Sequence, residues 1–379
     1  HIVVKFKSGY NVGLNINEIK KIQFISDMTS ERAENNTIKH NSKLPKILLL
    51  STGGTIASRI DYRTGSVTPA LTAQELNASV PELSEVANID AEVLFSEYSE
   101  NITPDQWIGI AKKLDSLAKS EYAGIIVAHG TDTMQYTAAF LSFSLSGFPK
   151  PIVLVGSQRS SDRPSSDAAL NLIGAAKFIV KSNPIGVFVA MHNSENDDYV
   201  ACHLGTRVRK NHTSKRDAFE TVGDKPAFIV SNDKIIQNFT DQYFGNKDYL
   251  PKIGLDPKVA LVKYHPGYDP KIFENLIDNG YKAIIFEGTG LGHVGRTMYD
   301  VIKKAKNQNI FLGMTSQCMD GRVNMSIYES GRDLMHFGVI PLSDMISEIA
   351  LVKAMWILGT DAKNIENIMI KKIASEFRE

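Results

Sequence analysis

Two short stretches set hydroxyl groups beside glycines, a combination that suits a site built around an oxygen nucleophile. The first is Ser51-Thr52-Gly53-Gly54-Thr55-Ile56-Ala57. Its glycines allow a sharp backbone turn that presents N–H groups to a ligand, and its hydroxyls are candidates for attack or orientation. A Gly-Gly turn is also ordinary punctuation between a strand and a helix. It is not a phosphate loop, because no Gly-Lys-Ser/Thr element is present. The second stretch is Ala128-His129-Gly130-Thr131-Asp132-Thr133-Met134. Here Thr131 could orient an attacking water and Asp132 could pair with a cation such as a substrate ammonium. The plain alternative is a helix N-cap, which Thr and Asp fill routinely. His129, beside an apolar run, reads as a structural hydrogen-bonding residue, and no His/Asp spacing nearby builds a metal site.

A threonine hydroxyl attacks poorly until a base accepts its proton, and a lysine is one chemical solution. Residues 206–213 read Thr206-Arg207-Val208-Arg209-Lys210-Asn211-His212-Thr213. Spacing alone makes Lys210 a solvated cation.

The elements that would position these residues are short apolar runs alternating with helical patterns from Pro45 onward. Residues 47–50, 125–128, 152–155 and 187–190 read as parallel strands buried on both faces. Both hydroxyl stretches follow such a run, so they belong on the carboxyl edge of one sheet, where α/β folds place ligands. A helix begins at Thr103-Pro104-Asp105-Gln106, which combines an N-cap, a proline at the first helical position and a capping-box glutamine. Residues 134–145 and those after Ala168 are further helices. The pattern restarts with strands at 259–263, 283–286 and 310–313, and 343–358 reads as an amphipathic helix.

This grammar predicts an α/β fold of two units with parallel-rich sheets, a larger catalytic one at 45–245 and a smaller one at 258–379, joined by a linker at 246–257. Ahead of them, residues 1–14 read as a hairpin turning at Ser8-Gly9, which we take with a further short element as a partial small β-barrel over 1–26, and the polar stretch 27–44 as a linker. The first residue is His1, and the other strands of the barrel are expected either to precede it or to belong to a neighbour.

Composition narrows the function. Forty-two Lys plus Arg balance 42 Asp plus Glu, so no global positive field favours nucleic acid, and any RNA contact must be local or made by another subunit. The two cysteines, Cys202 and Cys318, read as buried small hydrophobes in a reducing cytoplasm rather than as a disulfide framework. No apolar run approaches the length needed to span a bilayer.

Taken together, TGGTIA at 52–57, HGTDTM at 129–134, GSQR at 156–159, NL at 171–172, the stretch 208–219 and GTGLGHV at 288–294 resemble the asparaginase family. The likeness runs from about residue 46 to the end. It implies a two-domain asparaginase-type fold, with Thr55 as nucleophile and Thr131, Asp132 and Lys210 as the second catalytic group. Ser99 and Glu100, in Tyr98-Ser99-Glu100-Asn101, would contact the α-carboxylate and α-amino ends of the substrate. Tyr62 is a candidate lid residue, although it lies closer to Thr55 than the mobile-loop tyrosine of secreted members. Leu291-Gly292-His293 departs from the asparagine those members carry after the glycine turn. No metal is implied.

The extra residues before 45 and the run TGGTIASRIDYRTGSVTPALTAQEL at 52–76 resemble one branch of the family: the glutamine-hydrolysing subunits of archaeal-type glutamyl-tRNA(Gln) amidotransferases. That resemblance implies L-glutamine as substrate and a large kinase/transamidase partner of the E-subunit type, with ATP and Mg²⁺ bound there and no cofactor in this chain. Glu-tRNA(Gln) would be contacted mainly through the partner, and the chain would form a homodimer within a heterotetramer. A free cytoplasmic L-asparaginase and a non-catalytic binding module on the same fold are the alternatives. The polar segment 59–67 is expected to be the flexible part of the site, and the basic residues Arg207, Arg209, Lys210, Lys215 and Arg216 to form a site loop.

Overall fold

The computed structural model describes residues 2–5, 11–14, 20–21, 41–54, 56, 58–61, 66–69, 80–160, 165–182, 184–231, 234–238 and 248–378. In chain order the strands are β1 (Ile2–Lys5), β2 (Asn11–Leu14), β3 (Lys46–Gly53), β4 (Ser58–Asp61), β5 (Ser66–Pro69), β6 (Asn88–Glu97), β7 (Gly124–Ala128), β8 (Pro151–Val155), β9 (Gly186–His192), β10 (Val200–Leu204), β11 (Val208–Lys210), β12 (Phe219–Thr221), β13 (Phe228–Val230), β14 (Ile235–Gln237), β15 (Val259–Lys263), β16 (Ala283–Gly288), β17 (Phe311–Ser316) and β18 (Ile340–Pro341). The helices are α1 (Leu83–Val86), α2 (Pro104–Ser116), α3 (Met134–Ser144), α4 (Ala168–Ser182), α5 (Pro270–Asp278), α6 (Tyr299–Asn307), α7 (Glu329–His336), α8 (Ser347–Thr360) and α9 (Ile365–Met369).

The larger sheet has the order β14-β13-β10-β9-β8-β7-β3-β6, parallel from β6 through β9 and antiparallel beyond. Strand β3 lies between β6 and β7, the next two strands of this sheet in chain order. Their connections therefore leave in opposite directions, which opens a crevice at the carboxyl ends of these three strands. The smaller sheet, β15-β16-β17-β18, is parallel throughout. The apolar runs are buried on both faces for a visible reason. One face of the larger sheet carries Ile47, Leu49 and Ile126 against Phe178 of α4, and the other carries Leu48, Leu50 and Val127 into a core shared with α2, α3 and α8. That second core reaches Val259, Ala283 and Ile285 of the smaller sheet, whose far face packs on Phe273, Ile302 and Leu334 of α5, α6 and α7.

Helix α2 begins as its sequence demands, with Thr103 accepting the Gln106 N–H and the Gln106 side chain accepting the Thr103 N–H at 2.8 Å. Helix α8 differs from expectation. It starts at Ser347 and is buried almost all round, because it lies between α3 and the smaller sheet; Trp356 stacks on Phe143 at 5.7 Å and Lys353 is fully enclosed. Residues 248–257 form no regular element, yet Tyr249 donates to Asp115 at 2.6 Å, Lys252 N–H to the Ser144 carbonyl and Asp256 N–H to the Met355 carbonyl.

At the N-terminal end β1 and β2 pair antiparallel with Ile2 opposite Leu14. The Ser8-Gly9 turn lies outside the described residues, as does most of 27–44, and among the described residues no further strand joins this hairpin. Within and around segment 59–67, β4 and β5 pair antiparallel, with Ser58 opposite Pro69 and Asp61 opposite Ser66, and residues 62–65 lie outside the described residues. Cys202 is buried, and its enclosure pushes the thiol well above its ordinary range, whereas Cys318 is exposed, contrary to expectation.

Candidate active site

Three loops meet at the crevice, and glycines allow them to. After a bulge between Ser51 and Gly53, the chain leaves β3 with φ +117° at Gly53 and +80° at Gly54, in the left-handed region. A Cβ at Gly53 would lie 2.2 Å from the Glu97 carbonyl oxygen, and one at Gly54 would lie 2.7 Å from the Gly130 nitrogen and 2.8 Å from the His129 carbonyl carbon. The loop after β3 thus rests directly on the backbone of the loop after β7. That second loop rests in turn on Ser99, since a Cβ at Gly130 would meet the Ser99 Cβ at 2.8 Å. Hydrogen bonds fix the stack: Thr52 Oγ1 donates to the Ala128 carbonyl at 2.9 Å and Thr133 Oγ1 to the Ser99 carbonyl at 2.6 Å. His129 is the peg beneath it, fully buried, with Nδ1 2.7 Å from the Gly130 carbonyl oxygen and Nε2 2.8 Å from Thr137 Oγ1. A carbonyl only accepts, so Nδ1 carries the proton and Nε2 accepts from the threonine. Burial pushes this imidazole down to about 4, so the ring is neutral at pH 7.

Lys210 reaches this stack from the end of β11, which pairs with β12 in a two-stranded ribbon. Its Nζ donates to Thr131 Oγ1 at 2.8 Å and to Asp132 Oδ1 at 2.6 Å. The lysine side chain is 9% exposed and the aspartate 67%, so one partner faces the crevice wall and the other faces solvent. An ion pair with one exposed member contributes little to stability, so its consequence is the placement of the ammonium. The Lys210 N–H donates to the buried Gln135 side chain of α3 at 2.9 Å. Gly156 lies under Thr131, where a Cβ would come within 2.8 Å of the Thr131 methyl group.

Of the residues singled out in the sequence, Thr131, Asp132 and Lys210 are in direct contact, and Ser99 is buried against the same loop. Glu100 follows it, exposed. Thr55 and Tyr62 lie outside the described residues; the flanking Gly54 touches Gly130 and Ile56 is buried. Leu291-Gly292-His293 sits at the carboxyl end of β16, where His293 meets Ser330 at 3.2 Å and the Tyr328 ring at 5.6 Å. Sequence reasoning passed over Gln135 and met Gly156 only within the GSQR motif, with no role given to it. Gln135, a lone amide among the apolar residues that open α3, was a visible signal, whereas the need for glycine at 156 depends on what packs above it. The basic cluster is saturated by acids, with Arg207 on Asp344 and Arg209 on Glu348 both at 3.0 Å, Lys215 on Glu195 at 3.6 Å, and Arg216 on Asp197.

Residues 46–242 match the family model described as "Asparaginase, N-terminal", and residues 258–369 match the "Glutaminase/Asparaginase C-terminal domain". With a crevice built from paired Thr-Gly loops and a lysine, the chain belongs to the asparaginase family. Among known proteins it is similar to the D-type subunit of the glutamyl-tRNA(Gln) amidotransferase of Sulfolobus acidocaldarius, at 46% identity over 99% of this chain and 85% of that one. Its namesake from Pyrococcus furiosus is 45% identical over 99% of this chain and 87% of its own length. Among solved structures, the thermostable L-asparaginase of Thermococcus kodakarensis superposes with a TM-score of 0.78 at 31% identity, covering 88% of this chain and 99% of that one.

Proposed function

We propose that this chain is the glutamine-hydrolysing amidase subunit of an archaeal-type glutamyl-tRNA(Gln) amidotransferase. The observation that carries the chemistry is the contact of Lys210 Nζ with both Thr131 and Asp132, groups 79 and 78 residues away in sequence. Thr55 Oγ attacks the side-chain amide carbon of glutamine, and its proton is relayed through the Thr131–Asp132–Lys210 group to the amide nitrogen. The resulting oxyanion is held by backbone N–H groups of the two glycine loops. Collapse expels ammonia with that proton and leaves an acyl-threonine ester. Water, oriented by Thr131, then attacks the ester, and glutamate leaves as the Thr55 hydroxyl is restored. Ser99 and Glu100 hold the α-carboxylate and α-ammonium ends, and Tyr62 closes over the substrate.

The ammonia is consumed by a large kinase/transamidase partner that activates Glu-tRNA(Gln), so ATP and Mg²⁺ belong to that partner and the tRNA is held mainly through it. A homodimer within a heterotetramer in the cytoplasm is the corresponding assembly; no described helix is long and apolar enough to cross a membrane. Support for this over a free L-asparaginase comes from coverage. The two amidotransferase relatives align along 99% of this chain, whereas the asparaginase structure leaves unmatched a stretch about the size of the segment before Lys46.

The test is glutamine hydrolysis by Thr55→Ala, Thr131→Ala and Lys210→Met. The two alanine variants are expected to lose activity roughly 100-fold or more with little change in melting temperature, since each removes only a hydroxyl and a methyl group. Lys210→Met is expected to lose kcat far more than it raises KM. Near-normal turnover by Thr55→Ala removes the nucleophile assignment. A Lys210→Met effect confined to KM makes Lys210 an electrostatic anchor.

A further inference from the structure

Strand β11 is three residues long, too short to set the height of Lys210 by its own pairing. The groups that fix it come largely from the far end of the chain. Thr206 Oγ1 donates to the Ala374 carbonyl at 2.6 Å. Arg207, 3% exposed, donates to the Val222 carbonyl at 2.7 Å, to Asp344 Oδ2 at 3.0 Å, to the Asp344 carbonyl at 3.2 Å and to the Glu376 carbonyl at 3.3 Å. Arg209 pairs with Glu348 at the start of α8.

The terminal segment is itself pinned. The Glu376 carboxylate, wholly buried, meets Lys353 Nζ of α8 at 2.5 Å and accepts the N–H groups of Ile373 at 3.1 Å and Ala374 at 2.7 Å. Lys353 spends its other protons on the Met369 and Lys371 carbonyls at 2.9 and 2.7 Å. Arg378 closes the segment through its N–H to Asp344 Oδ1 at 2.8 Å and its guanidinium to Asp224 at 2.8 Å. Enclosing two charges costs several kcal/mol that an apolar pair would not, so such a pair is poor evidence of stabilisation. What this one does is hold two particular carbonyls, of Ala374 and Glu376, facing Thr206 and Arg207.

We propose that residues 373–378 form a clasp that positions Lys210 for catalysis, with Thr206 and Arg207 as the positioning residues that carry its hold to β11. This rests on the reading of Lys210 as the proton-handling group. A shift of about 1 Å in a catalytic group can cost on the order of 100-fold in rate, so a partial loosening should appear in kcat before it appears in binding.

The experiment compares Thr206→Val, Thr206→Ser and the double variant Lys353→Met/Glu376→Gln with Lys210→Met, in the full chain, by steady-state glutamine hydrolysis and melting temperature. Thr206→Val keeps shape and loses the donor. It is expected to lower kcat about tenfold with KM within twofold, and Thr206→Ser to restore kcat. The double variant removes both buried charges together; it is expected to fold and to show the same kcat loss. If both variants keep kcat within twofold of the parent while Lys210→Met is inactive, the clasp proposal fails and the Lys210 reading stands. Normal turnover in Lys210→Met overturns both. A kcat loss in Thr206→Val that the serine does not restore also overturns the clasp.

Discussion

His129 lies two residues before Thr131, and its neutrality has a consequence for acid stability. Enclosure holds the ring at about 4, against 6.5 for a free imidazole, and the hydrogen bond to the Gly130 carbonyl only partly offsets this. His203, also enclosed, is pushed down to about 3. As pH falls, the unfolded chain binds a proton on each ring near 6.5, whereas the folded chain does not bind one on His129 until about 4. The stability that the neutral His129 ring contributes is therefore complete above about pH 6.5 and is lost progressively between 6.5 and 4, at about 1.4 kcal/mol per pH unit. Urea midpoints measured from pH 7 to 4.5 are expected to fall steadily. His129→Gln should be less stable at pH 7 but should show a shallower fall, and an unchanged slope in that variant would remove His129 from the account.

At the scale of elements, the site depends on the turn after β3 lying flat on the loop after β7. Gly54 combines φ +80° with backbone atoms under 3 Å from any Cβ, and neither problem can be relieved by moving a side chain. Gly54→Ala is expected to cost at least about 2 kcal/mol and, by lifting the turn, to lower glutamine hydrolysis on the order of 100-fold. Gly109 is the matched control, because it lies within α2 with nothing within 4 Å of its Cβ position. Gly109→Ala should be neutral or stabilise by up to about 1 kcal/mol. Comparable losses in both variants, read by denaturation and turnover, would show that alanine substitution in general and not the loop contact is responsible.

For the whole molecule, a protein that feeds ammonia to a synthetic partner wastes glutamine if it hydrolyses freely. The isolated chain is expected to be a weak glutaminase, stimulated roughly tenfold or more by partner and glutamylated tRNA, a coupling of about 1.4 kcal/mol. The segment before β3 is about the length that the asparaginase structure leaves unmatched, which makes it the docking candidate. A shortened chain should begin at Asn41, because Asn88 donates to the carbonyls of Asn41 and Leu44 and accepts the Asn41 N–H. That variant should keep basal hydrolysis and lose the stimulation. Full, partner-independent activity on asparagine in both forms would favour a free asparaginase.

Local chemistry made much of this legible in the sequence. Unbroken apolar runs announce doubly buried parallel strands, and Thr103 with Gln106 fixes a helix start within four residues. The two Thr-Gly motifs after strands place Thr131 and Asp132 at a sheet edge. What could not be read depends on contacts between distant segments. Helix α8 looked amphipathic because its charged Glu348 and Lys353 suggest a wet face; only the packing of α3 and the smaller sheet around it encloses them against Arg209 and Glu376. Cys318 gave no local sign of its exposure. Lys210 by spacing was a surface cation, and it becomes part of the site only because β11 brings it to Thr131 across 79 residues of chain. Sequence periodicity reports burial by a neighbouring layer, but it carries no record of which residues that layer brings into contact.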